Sequence, residues 1–212
     1  MSRDLSVKTN LEMPALNRPN AIVAFEGIPG AGKTTLLEKL AALNPNITID
    51  CEPIQVWQNF HGNNVLDLYY KDPKKYAFVF QSLIQSSVFN SRRQSVPTKG
   101  IYLLERSLGS SFNVFSRLAL NENILTDLEF GVLHEQHRVL SEAEVLCGIA
   151  ADLYVYLRID PKIALERVRM RGRKEETNVT LSYLQQLHNY YEDWLIKGRY
   201  GHTAPVLVVQ MK

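Results

Sequence analysis

Eight residues near the start of the chain, Gly27-Ile28-Pro29-Gly30-Ala31-Gly32-Lys33-Thr34, follow the spacing G-x-x-x-x-G-K-[ST]. Glycines spaced in this way let backbone N–H groups converge on phosphate oxygens, and a helix starting just after them adds a favourable dipole. The lysine reaches the outer phosphates, and the hydroxyl after it offers an oxygen to Mg²⁺. The pattern asks for a nucleoside triphosphate. Gly27, Gly30, Ala31, Gly32, Lys33, Thr34 and Thr35 are the candidate phosphate contacts, with Thr34 also at the metal. The motif does not choose the reaction. The sequence has no guanine-reading NKxD string and no DxxG switch, so transfer to a small acceptor is expected.

Three further groups can serve such a transfer. In "ITIDCEPIQVW" an alternating apolar stretch ends in the carboxylate Glu52, locked before Pro53. An acid there is either a solvated turn charge or a base for an attacking hydroxyl, a role worth about 10²–10⁴-fold in rate. Glu105-Arg106-Ser107 closes another apolar run. Glu105 is the candidate to hold the metal or its water, and Arg106 to place the acceptor beside the γ-phosphate. A capping ion pair on a loop is the alternative. The run Arg169-Met170-Arg171-Gly172-Arg173-Lys174-Glu175-Glu176 is either a solvated charge run or a lid over about 169–178. Arginines of a lid clamp the phosphoryl group, and Gly172 lets it close.

A fourth group suits a flat, polar-edged ring. Ala77, Gln81, Ile84 and Val88 share one helical stripe, and Gln81 is its polar member. A buried amide needs partners. Either the backbone supplies them or a ligand edge does, and a flipped amide matches thymine or cytosine equally. Trp57, Phe80 and Phe115 are ordinary core aromatics or the faces of a base sandwich. Tyr70 offers a ring and a hydroxyl to a sugar.

These residues need elements to carry them. Apolar runs at 21–25, 47–49, 100–105, 152–159 and 205–210 read as strands. Helical spacing covers 34–43, 64–90 with a break near Asp72-Pro73, 107–146 with a break around 121–123, and 180–195. Asp160-Pro161 opens one more helix. Strands alternating with helices predict an α/β fold: a five-stranded parallel sheet flanked by helices and carrying a short lid, a P-loop kinase architecture. Ligands of such sheets sit beyond the carboxyl ends of the strands. Residues 1–18 are expected to be a flexible tail, and 19–212 a single domain.

Composition narrows the partners. The 212 residues carry 24 Lys and Arg against 22 Asp and Glu, a net charge of +2. Neither a nucleic-acid polymer nor a membrane surface is expected from that balance. Cys51 and Cys147 form no metal-ligand spacing, which fits a reducing compartment. The start lacks an apolar signal core and carries Asp4 and Glu12, so a cytoplasmic location is expected.

Taken together, "GIPGAGKTT", "EPIQVWQNF", "YYKDPKKYAFVFQ", "ERS", "RGRKEE" and "LHNYYEDWL" resemble the deoxyribonucleoside kinases, over about residues 21–209. The resemblance implies ATP-dependent 5′-phosphorylation of deoxyribonucleosides in nucleotide salvage, with Mg²⁺. It implies that Glu52 is the base, Arg106 the arginine beside the 5′-hydroxyl and Glu105 the acid near the metal. Gln81 then reads the base, Phe115 stacks on it opposite Trp57 and Phe80, and Tyr70 with Glu176 holds the 3′-hydroxyl. Arg171 and Arg173 match lid arginines. A homodimer and inhibition by an end-product triphosphate are implied as well.

Deoxycytidine and deoxyguanosine kinases carry an Arg/Asp pair at the base, where this sequence has Val88 and Ser111. Ile84 stands as a wall, and Val88 leaves room for a thymine methyl. Thymidine and deoxyuridine are therefore expected as preferred substrates, with deoxycytidine accepted and purines poorer. The family's adenine-contacting loop follows its last strand. This sequence ends at Lys212, so adenine contacts are expected to be either reduced or supplied by another segment. Two rivals stand beside this reading. A nucleoside monophosphate kinase, such as a thymidylate kinase, would need cations where Glu52 offers repulsion. A non-catalytic nucleotide-binding subunit would not need Glu52, Arg106 and the lid arginines.

Overall fold

Apolar runs without polar alternation must be covered on both faces, and a parallel sheet between helices does this. A computed structural model describes residues 19–212; the expected tail at 1–18 lies outside the described residues. Five strands, β1 (Asn20–Glu26), β2 (Ile47–Asp50), β3 (Gly100–Glu105), β4 (Leu153–Arg158) and β5 (Val206–Gln210), form one sheet in the order β2-β3-β1-β4-β5. Every pairing is parallel. Phe25 lies opposite Glu105, and Asp50 opposite Leu104. The chain therefore leaves β1, β2 and β3 at one edge, where Gly27, Glu52 and Arg106 follow.

The helices are α1 (Lys33–Leu43), α2 (Ile54–Gln58), α3 (Val65–Lys71), α4 (Pro73–Ser95), α5 (Leu108–Ser110), α6 (Arg117–Asn121), α7 (Asp127–Leu146), α8 (Pro161–Arg171) and α9 (Leu181–Tyr191). A π-helical turn, Ser111–Ser116, joins α5 to α6, and another, Glu192–Ile196, continues α9. The break expected near Asp72-Pro73 is real: Asp72 caps α4 and Pro73 opens it. Asp160 likewise caps α8.

Two apolar clusters hold these layers. One surrounds the sheet, where Ile22, Leu104 and Leu157 meet Leu37 of α1, Leu165 of α8 and Leu187 of α9. A fully buried leucine is worth about 1.5–3 kcal/mol, so such contacts dock the helices. The other lies among helices: Trp57 of α2, Tyr69 of α3, Phe80 and Val88 of α4, Phe112 of the π-helical turn and Leu133 of α7. This second cluster walls the space beyond the strand tips.

Candidate active site

The phosphate loop leads into α1 through Gly32, and no side chain caps that helix. Among the described residues, α3, α4, α7, α8 and α9 are all capped by side chains at their N-termini. The uncapped start of α1 therefore keeps N–H donors for an anion. Gly30 has φ +83°, and a Cβ there would stand 2.3 Å from the Ala164 carbonyl oxygen on α8. The loop can lie this close to α8 only as glycine. Lys33 is buried, and its Nζ donates to Gly27 O at 3.0 Å and Ile28 O at 3.4 Å. Burial, and next the Arg106 charge, lower its pKa to about 8.

A cleft of about 660 Å³ opens over this loop. Gly30, Gly32, Lys33, Thr34 and Thr35 line it, as do Glu105, Arg167, Arg171 and Arg173. Gly27 and Ala31 do not. Gly27 gives its carbonyl to Lys33, and the Ala31 N–H donates to Ile28 O at 3.1 Å, so both shape the loop from within.

A second cavity of about 160 Å³ adjoins the first, sharing Lys33, Thr34, Glu105, Arg171 and Arg173 with it. Thr34 Oγ1 donates to Glu105 at 2.8 Å, which puts two hard oxygen donors in contact at the junction. Such a pair fits Mg²⁺, which takes one or two protein oxygens and completes its shell with phosphates and water. Among the described residues no group of three acidic, His or Cys side chains forms a metal cage.

Glu52 and Arg106 both line the smaller cavity, with Arg106 Nε 2.6 Å from Glu52 Oε1. Arg106 Nη1 also donates to the Tyr191 hydroxyl at 2.6 Å, and its guanidinium lies 4.7 Å over the Phe115 ring. Below it sits Glu26, fully buried, accepting from Ser107 Oγ at 2.5 Å and from Tyr191 Oη at 3.3 Å. Burial raises the Glu26 pKa above the usual carboxylate range. The ion pair is thus a specific link at the cavity wall and not a loop cap facing water.

The far end of the smaller cavity is apolar. Trp57, Phe80, Ile84, Val88 and Phe115 line it with Gln81 and Ser111. Trp57 and Phe80 pack edge to face at 5.7 Å, and Trp57 Nε1 donates to Ser87 Oγ at 2.9 Å. Gln81 is 1% exposed, and Ser111 Oγ donates to its Oε1 at 3.2 Å. That is a side-chain partner, not the backbone one weighed above. The apolar stripe also proves less pure than expected, since the same face of α4 buries Gln85 and Arg92.

Tyr70 and Glu176 also line this cavity. Burial, then the nearby Glu176 charge, pushes the Tyr70 hydroxyl pKa up. Glu176 is held by Arg171 and by Arg173 Nη1, the latter at 2.9 Å. The segment expected to serve as a lid consists of the end of α8, Gly172 at φ +67° and a 3-10 turn, Lys174–Glu176. Its neighbour Glu175 accepts from Gln58 Nε2 at 2.8 Å and Asn64 Nδ2 at 3.1 Å, tying the segment to α2 and the start of α3. The arginines are engaged with carboxylates, unlike a solvated charge run.

Four residues without a sequence signal as clear as the motifs join the site: Tyr69 and Tyr183 line the smaller cavity, and Tyr191 bonds both Arg106 and the buried Glu26. A signal existed for two of them. Tyr183, Leu187 and Tyr191 recur at four-residue steps on one helical face.

A family profile described as deoxynucleoside kinase matches residues 23–212. The chain is 31% identical over 192 residues to "Thymidine kinase 2, mitochondrial" of Homo sapiens, covering 90% of this chain and 70% of that protein. It is 30% identical over 213 residues to "Deoxyguanosine kinase, mitochondrial" of Xenopus laevis, with 91% and 79% covered. Against "Thymidine kinase" of Ictalurid herpesvirus 1 it is 33% identical over 187 residues, with 86% and 78% covered. A phosphate loop, a neighbouring cavity with an apolar end and a profile match along nearly the whole chain agree: this protein belongs to the deoxynucleoside kinase family and is a phosphotransferase acting from ATP on deoxynucleosides.

Proposed function

We propose that the preferred acceptors are pyrimidine deoxyribonucleosides, thymidine and deoxyuridine ahead of deoxycytidine, with purines poorer. Glu52 takes the proton of the 5′-hydroxyl as that oxygen bonds to the γ-phosphorus. The bond from the γ-phosphorus to the bridging oxygen breaks, and ADP leaves. Arg106 orients Glu52 and the acceptor oxygen, Lys33 and the start of α1 bind the phosphates, and Arg171 and Arg173 exchange Glu176 for the transferring group. Thr34 and Glu105 would hold Mg²⁺, which supplies charge neutralisation for the phosphates when bound. Gln81 pairs with the base edge between Phe115 and the Trp57–Phe80 pair, and Tyr70 with Glu176 holds the sugar.

The observation that carries this reading is the Glu52–Arg106 contact in the smaller cavity, which shares Lys33, Thr34 and Glu105 with the phosphate cleft. Val88 and Ser111 at the base end, without an Arg/Asp pair, favour thymine, as do the names of two relatives. Radiolabelled ATP with thymidine, deoxyuridine, deoxycytidine, deoxyguanosine and thymidine monophosphate tests it. Thymidine should give the highest kcat/KM; a preference for the monophosphate or for deoxyguanosine overturns the substrate assignment.

The product would feed DNA synthesis. We also infer a homodimer through α7 and α4, where Leu128, Val132, Val139 and Val79 are exposed apolar residues. Residues 19–212 are read as one domain with a lid at about 169–178. No described helix is long and apolar enough to cross a membrane. A cytoplasmic location stays part of the proposal, and cell fractionation decides it against the mitochondrial location in two relatives' names.

A further inference from the structure

Arg106 is held in the left-handed backbone region, at φ +65°. An arginine stays there only when its surroundings over-determine it. Here both neighbouring peptide groups are pinned. The Arg106 N–H donates to Phe25 O of β1 at 2.9 Å. The Arg106 carbonyl accepts from Arg92 Nη2 at 2.6 Å.

Arg92 belongs to the last turn of α4, is 1% exposed and does not line the nucleoside cavity. Its other terminal nitrogen donates to Glu144 Oε1 on α7 at 3.0 Å, and its Nε lies 3.9 Å from Asp50 Oδ2 at the end of β2. Asp50 is held in turn by Ser91 Oγ at 2.7 Å. Burying a guanidinium is costly without counter-charge, and the two acids supply it. A neutral amide could satisfy one carbonyl at lower desolvation cost. The guanidinium instead takes its direction from the hydrogen bond to Glu144 on α7 and the nearby Asp50 charge on β2, and turns Nη2 to the strained residue.

We propose that Arg92 is a positioning residue for phosphoryl transfer: through the Arg106 carbonyl it holds the left-handed backbone that aims the Arg106 guanidinium at Glu52. This rests on the reading above that Arg106 acts at the acceptor. The competing account is a core ion pair that ties α4 to β2 and α7 and touches stability alone.

A double-mutant cycle separates them. Wild type, Arg92→Met, Arg106→Ala and the double variant are purified, their Tm values measured, and single-turnover rates and nucleoside KM determined with thymidine and ATP. Arg92→Met should lower the chemical rate about tenfold while nucleoside KM stays within about twofold. In the Arg106→Ala background the same change should cost less than about twofold, because the residue it positions is gone. An equal loss in both backgrounds, or an unchanged rate in folded Arg92→Met, overturns the proposal. A full rate in Arg106→Ala alone refutes the underlying role of Arg106. Should Arg92→Met fail to fold, Arg92→Lys and Glu144→Gln carry the same cycle: each should lose about threefold or more in rate, and that loss should vanish without Arg106. A loss that persists without Arg106, or none at all, again overturns it.

Discussion

Lys33 carries a titratable charge in the donor cleft that physiological alkalinity reaches. Its ammonium is protonated below about pH 8 and neutral above, because burial lowers its pKa from 10.5. The protonated form attracts phosphates. The value of kcat/KM for ATP, which reports the free enzyme, should therefore fall above pH about 8, approaching tenfold per unit. A flat profile to pH 9.5 contradicts the assignment. The same shift acts on stability with the opposite slope: Lys33 costs stability fully below about pH 8, and the cost is relieved as pH rises toward the unfolded value. Gln81 offers a second test. Losing a buried hydrogen-bond partner costs about 1–3 kcal/mol, so Gln81→Ala should lower kcat/KM for thymidine and deoxycytidine about 10–100-fold. Unchanged pyrimidine kinetics would refute its contact with the base. Glu52, Arg106 and Gln81 were legible because each breaks a local pattern: an acid or arginine at an apolar run's end, an amide on an apolar stripe. Glu26 and Tyr191 were not assigned, because their roles come from a contact 165 residues apart in the chain. Arg92 escaped for the same reason; its partners come from β2, α7 and the tip of β3.

Elements place these groups, and their junctions can be tested separately. Glu175 links the 172–178 segment to α2 and the start of α3 through part-buried hydrogen bonds worth about 0.5–1.5 kcal/mol each. Glu175→Ala should raise nucleoside KM about 2–5-fold and speed hydrogen exchange at 172–178; no change in either would show that the lid closes without this tie. The phosphate loop abuts α8 at Gly30. Gly30→Ala forces a Cβ against a carbonyl at positive φ, strain of about 1–3 kcal/mol or more. Tm should drop by several degrees, since about 1 kcal/mol shifts a chain of this size by about 2–4 °C. All five strands and most helices were readable from apolar runs, Pro and cap residues. The short α2 was not, since five residues give too little periodicity, yet it carries Trp57 into the cavity. Strand order was not readable either, because it is decided by which crossovers pack, not by any local segment.

At the scale of the molecule, two cavities meet at one wall, where Lys33, Glu105, Arg171 and Arg173 line both, while the net charge of the whole chain is only +2. The exposed valines and leucine of α7 lie elsewhere on the surface. A dimer through them should become a monomer in light scattering when Val132 and Val139 are both changed to Glu; a monomeric wild type contradicts it. The central claim concerns the meeting wall: the Glu52 carboxylate faces an uncharged alcohol across from the donor. Single-turnover phosphorylation of thymidine by Glu52→Gln tests it most directly, with thymidine Kd measured alongside. The rate should fall about 10²–10⁴-fold while Kd stays within a few-fold. A rate within twofold of wild type would contradict the account.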